Sequence, residues 1–132
     1  MTVVAGKRIL VVEDEALLAA MVAEMLTELG AVVVGPAGTL AKGLALVASE
    51  AIDAAVLDVN INNERIDPIA AALQDKRIPF LLATGYGQGF AGRPANVNVI
   101  GKPYTIDKLS DALVLLLADQ GAGKIDPRAG FG

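Results

Sequence analysis

A chain of 132 residues, 54% hydrophobic and with a formal net charge of −4, holds enough apolar material for one packed domain. The absence of Cys and His removes disulfides, thiolate chemistry, Ser-His and Cys-His catalysis and most zinc sites. The acidic balance argues against a nucleic-acid surface, and apolar runs such as Ala112 to Ala118 are far short of the ~20 residues of a membrane-spanning helix. Met1 to Lys7 reads as a loose leader without the pattern of a signal peptide. Arg8 to Val12 is a continuous apolar strand ending in Glu13-Asp14-Glu15. Leu18, Met21, Val22, Met25, Leu26 and Leu29 then recur at helical spacing, and Gly30 suits the cap. Ala31 to Val34 is a second strand stopped by Gly35-Pro36. Thr39 caps a second helix with Leu40, Leu44 and Val47 inward, weakened by Gly43.

The third strand, Ala54-Ala55-Val56-Leu57-Asp58, is the stretch around which the rest is organised. Its apolar run ends in one carboxylate, at the strand end where open α/β sheets place their chemistry. Asn60 to Arg65 reads as a polar loop. Asp67-Pro68 reads as a cap followed by proline at the first helical position, with Ile69, Ala72 and Leu73 inward. Pro79 to Thr84 is the fourth strand. The Gly-rich connection from Gly85 to Asn96 leaves room for only a short or distorted helix. Val97, Val99 and Ile100 mark an edge strand, Gly101 to Tyr104 a tight turn, and Thr105 the start of a last helix carrying Ile106, Leu109, Leu113, Leu116 and Leu117. The division expected is a domain over residues 1–118 and a flexible Gly-rich tail over 119–132.

Five strands alternating with helices predict an α/β fold, a doubly wound five-stranded parallel sheet with helices on both faces. The flavodoxin-like order 2-1-3-4-5 brings the ends of strands one and three together at the switch point. Glu13, Asp14 and Asp58 would converge there, with Thr84 and Lys102 bordering the same crevice. Packed carboxylates repel and call for a cation; oxygen ligands without His or Cys point to Mg²⁺. A carboxylate such as Asp58 can act as the nucleophile that forms an aspartyl phosphate. Lys102 would add positive charge, and the Thr84 hydroxyl a hydrogen bond. Each residue alone has an ordinary explanation: a helix cap for Glu13-Asp14, a turn for Asp58, a strand end for Thr84, a solvated loop for Lys102. Their joint placement at successive strand ends is what such explanations leave out.

On Val12-Glu13-Asp14-Glu15, Leu57-Asp58-Val59-Asn60, Ala83-Thr84-Gly85 and Lys102-Pro103, the chain resembles the receiver domain of two-component response regulators over roughly Arg8 to Ala118. The resemblance implies Asp58 as phosphoacceptor, Asp14 and Asp58 as Mg²⁺ ligands, and the Asn60 backbone carbonyl as a third. It implies Glu13 acting through a metal-bound water, Thr84 as switch hydroxyl, Lys102 as phosphoryl-binding cation and a cis bond before Pro103. One position departs: receivers usually carry an aromatic residue three before the lysine, and here it is Val99. An aromatic instead follows the threonine, in Ala83-Thr84-Gly85-Tyr86-Gly87, and makes Tyr86 a candidate switch. This is similar to the alphaproteobacterial subgroup with a Phe-Ala-Thr-Gly-Tyr motif, although Leu82 stands at the first position.

The function expected is a stand-alone, cytoplasmic, non-enzymatic regulator of a phosphorelay. It would be phosphorylated on Asp58 by a histidine kinase or histidine phosphotransfer protein, and would signal by phosphorylation-sensitive protein contacts. No nucleic-acid or membrane partner is expected. The alternatives are an Asp-nucleophile phosphatase of haloacid dehalogenase type and an unphosphorylated pseudo-receiver. Against the first, Asn60 stands where that family usually has a second Asp.

Overall fold

The computed structural model describes residues 3–58, 60–61, 64–84, 98–101 and 105–121. In chain order the elements are β1 (Arg8–Val12), α1 (Ala16–Glu28), β2 (Val32–Ala37), α2 (Leu40–Ser49), β3 (Ala54–Asp58), β4 (Asn60–Ile61), β5 (Glu64–Arg65), α3 (Asp67–Asp75), β6 (Phe80–Thr84), β7 (Asn98–Gly101) and α4 (Ile106–Gly121). The chain is α/β with a parallel sheet in the order β2-β1-β3-β6-β7, and β4 and β5 form a separate antiparallel pair.

Successive side chains of a strand point to opposite faces, so the continuous apolar runs feed two layers. From β1, Leu10 and Val12 pack with Val47 of α2 and with Ile69 and Leu73 of α3. Ile9 and Val11 pack with Val22 and Leu26 of α1 and with Leu109, Leu113 and Leu116 of α4. Each fully buried Leu or Ile contributes about 2 kcal/mol of apolar transfer, which makes these alternating sets the main force holding helices to sheet. Gly43 has a packing reason to interrupt α2. A Cβ there would lie 2.5 Å from Ile69 Cδ1 and 3.5 Å from Val12 Cγ2, so its absence lets α2 press onto α3 and β1 together.

Several boundaries differ from the sequence expectation. The leader is not loose. Val4 is fully buried in the α1–α4 layer, and the Gly6 N–H donates to the Gly30 carbonyl at 2.8 Å. Helix α1 buries Ala19, Val22 and Leu26, whereas Met21, one of the apolar residues at helical spacing, is exposed. Strand β2 does not stop at Gly35-Pro36 but runs through it to Ala37, with a cis bond between the two. As the outer strand of the sheet it tolerates a proline that donates no ladder hydrogen bond. The polar loop after Asp58 contains the β4–β5 pair, with Asn60 opposite Arg65 and Ile61 opposite Glu64. Asp67 is the first residue of α3 rather than its cap; Ile66 takes that position and makes no side-chain cap. Thr39 and Thr105 do cap, accepting from the N–H of Lys42 and of Lys108, each at 3.1 Å. Helix α4 runs to Gly121, three residues past residue 118. The connection from Gly85 to Asn96 and residues 122–132 lie outside the described residues.

The register of β1 against β3 is anchored at the amino end. The Arg8 N–H donates to Asp53 Oδ2 at 2.8 Å and the Asp53 N–H to the Arg8 carbonyl at 2.7 Å. The Arg8 guanidinium donates to the Ala51 carbonyl at 2.7 Å and to Glu50 Oε1 at 3.0 Å. The Arg8–Glu50 pair is exposed and adds little by itself; the exchange between Arg8 and Asp53 is what holds the two strands level.

Candidate functional site

Four residues of β1 pair in parallel with four of β3, from Ile9 opposite Ala54 to Val12 opposite Leu57. The next residue on each strand is Glu13 and Asp58. Register alone therefore sets those two carboxylates side by side at the carboxyl edge, and Asp14 follows at once. Oxygens of Glu13, Asp14 and Asp58 all lie within 4.8 Å of one another. Glu13 is buried, Asp58 half-buried and Asp14 exposed.

Acidic clusters on a surface are common. This one is set apart by Glu13, the one buried charged residue among the described residues, with 6% of its surface exposed. Burying a carboxylate is unfavourable unless it is hydrogen-bonded or paired. Its Oε2 accepts from the Glu15 N–H at 3.1 Å, and its own N–H donates to the Ala37 carbonyl at 2.9 Å. Three acidic oxygens at this separation repel, and a cation between them relieves that repulsion. The donors are all hard oxygens, which fits Mg²⁺, an ion that takes one or two carboxylates and retains water. Ala37 is the partner the sequence did not reveal. Its signal was Gly35-Pro36, which reads as a strand breaker and is instead the part of β2 that reaches Glu13.

No protein-family model and no curated protein matches the sequence. Solved structures do. The solution structure of SdrG from Sphingomonas melonis Fr1 is 41% identical, with a TM-score of 0.76 over 85% of this chain and 97% of that one. The BeF3-activated conformation of SdrG, from Pseudomonas melonis Fr1, is 41% identical, with a TM-score of 0.74 over 86% and 98%. The receiver domain of the response regulator PhyR from Erythrobacter litoralis, 21% identical, shares the fold with a TM-score of 0.79 over 92% and 98%. The chain belongs to the response regulator receiver family.

Within this receiver, β3 pairs Asp58 with Ala83 of β6, and β6 pairs Thr84 with Gly101 of β7. The Thr84 backbone thus lies one step beyond Asp58 along the same edge, and Lys102 directly follows the residue paired with it. Asn60 opens β4, two residues after Asp58. Val59, Tyr86, Lys102, Pro103 and Tyr104 lie outside the described residues, and with them the expected cis bond before Pro103. The exposed side of the receiver's α1 carries two large apolar side chains one turn apart, Leu17 at 72% and Met21 at 41% exposure. Helical periodicity alone does not tell which apolar residues of so rich a stripe face the sheet. Among the described residues no helix is long and apolar enough to cross a membrane.

Proposed function

We propose that this receiver is a cytoplasmic phosphorelay regulator that takes a phosphoryl group on Asp58 from the phosphohistidine of a histidine kinase or histidine phosphotransfer protein. An Asp58 oxygen attacks phosphorus, the P–N bond breaks, and its electron pair returns to the imidazole nitrogen, leaving an acyl phosphate. Asp14, Asp58 and the Asn60 carbonyl would hold Mg²⁺, with Glu13 acting through a bound water. The ion would supply the positive charge that lets an anionic phosphoryl group approach three carboxylates. Thr84 and Lys102 are assigned the hydrogen bond and the cation for the phosphoryl oxygens, and Tyr86 the aromatic element that responds to it.

The observation that carries this reading is the half-buried Asp58 with Glu13 and Asp14 oxygens within 4.8 Å at the carboxyl edge of the sheet. A relative 41% identical has a BeF3-activated conformation, which is what a phosphoryl mimic on an equivalent carboxylate would produce. One neighbour is the receiver domain of a response regulator, which supports assigning the output to protein contacts. With Mg²⁺ and acetyl phosphate, intact mass should rise by one phosphoryl group, stable to acid and labile to base. Asp58→Asn should abolish it, and peptide mapping that located the group elsewhere would refute the assignment.

A further inference from the structure

Strands β1 and β2 run in step from Arg8 opposite Val32 to Leu10 opposite Val34, and then fall out of step: Val12 faces Ala37. One residue of β1, Val11, is matched by two of β2, Gly35 and Pro36. This is a β-bulge, and it re-aims the strand beyond it. Beyond it, the Ala37 carbonyl accepts the Glu13 N–H at 2.9 Å. The bulge needs glycine. Gly35 has φ +99°, and a Cβ there would lie 2.8 Å from the Ala37 nitrogen and 3.1 Å from the Val11 carbonyl oxygen. The first is a clash and the second a tight contact, and both are with backbone, which cannot swing aside as a side chain can.

We infer that the Gly35 bulge is a positioning device for the acidic centre, fixing the Glu13 peptide by presenting the Ala37 carbonyl to it. Glu13 is held twice in consequence. Its N–H is tied to β2, and its carboxylate to the Glu15 N–H at the start of α1. A side chain that reaches its neighbours through a water must start from a fixed Cα, because a shift of the backbone is passed directly to that water. Hydrogen-bonded partners outside the ligand set typically change metal affinity by about 10–100-fold when removed. The inference rests on the proposed Mg²⁺ site but concerns residues that no ligand touches.

The test compares Gly35→Ala and Ala37→Gly with a remote control, Leu113→Ala in the α1–α4 layer. All are held at a temperature where each is folded by circular dichroism. Ala37→Gly deletes one methyl and loosens the same carbonyl, so it keeps the question open if Gly35→Ala does not fold. Mg²⁺ affinity is read by titration, and exchange of the Glu13 amide by NMR. The expected result is a loss of about tenfold in Mg²⁺ affinity for Gly35→Ala and a smaller loss for Ala37→Gly. Faster Glu13 amide exchange should accompany both, with the control at wild-type affinity. Wild-type affinity in the β2 variants, or an equal loss in Leu113→Ala, would overturn the positioning role. Absence of Mg²⁺ binding in the wild-type chain would instead overturn the metal site on which it rests.

Discussion

Glu13 and Asp58 show how much a single register step decides. Because residues in parallel strands advance together, slipping β1 by one residue against β3 would put Glu13 opposite Leu57 and turn every side chain of β1 to the wrong layer. The two carboxylates are therefore as firmly specified as the core itself. Tyr86 belongs to the same scale. Gly85 and Gly87 flank it in the sequence. With Val99 where receivers usually carry an aromatic ring, the proposed switch role falls to this tyrosine. Tyr86→Ala should leave Mg²⁺ affinity unchanged while altering the half-life of the aspartyl phosphate and lowering phosphorylation-dependent partner affinity. A half-life and a partner affinity both equal to wild type would remove Tyr86 from the mechanism. The places of the acid pair, Asp58 and Thr84 at strand ends were legible because each ends an apolar run, the strongest pattern a parallel sheet writes. Ala37 was not legible, since its role comes from a main-chain carbonyl and any residue type carries one.

At the scale of elements, helix ends separate what sequence shows from what it hides. Helices α1 and α3 finish with the same pair of backbone hydrogen bonds. Gly30 N–H donates to Thr27 and Ala31 N–H to Leu26; Arg77 N–H donates to Gln74 and Ile78 N–H to Leu73. Both motifs need a left-handed residue after the cap. Gly30, at φ +87°, supplies it without strain, whereas Arg77 adopts φ 60° with a side chain. The first stop was readable from its glycine; the second was not, because Arg77 is not a residue type that signals it. Arg77→Gly should leave unfolding free energy within about 1 kcal/mol of wild type, and Gly30→Arg should lower it by ~1–2 kcal/mol. Chemical denaturation of the two variants checks both values. The exposed apolar pair on α1 makes a second prediction at this scale. Leu17 and Met21 are exposed and begin one turn beyond the acidic centre, and on the proposed phosphorelay reading they are candidates for contact with the protein donor. Replacing both by Glu should slow transfer from a phosphohistidine protein by about tenfold or more and leave acetyl phosphate labelling unchanged. Equal slowing with both donors would mean that the pair supports the site rather than the partner.

For the whole molecule, the order of the parallel strands was written plainly in the sequence, and so was the edge at which Glu13, Asp14 and Asp58 gather. Short-range signals misled where tertiary contacts overrode them. Val4 is drawn into the core although Met1 to Lys7 carries no periodic pattern, and the Gly-Pro step is kept inside an outer strand because only one side of that strand must pair. One feature of this architecture bears on the anion that Asp58 would carry. Where a helix directly follows a parallel strand, as α1 follows β1, the carboxyl end of the strand meets the amino end of the helix. The peptide dipoles of α1 therefore point their positive ends toward the residues that crowd negative charge together. The Glu15 N–H on the Glu13 carboxylate is a direct instance. Such an end favours a nearby anion by typically 0.3–1 kcal/mol. The scaffold thus opposes part of the charge it concentrates, before any ion or lysine is added, and offers an incoming phosphoryl group a potential less hostile than three carboxylates alone would create.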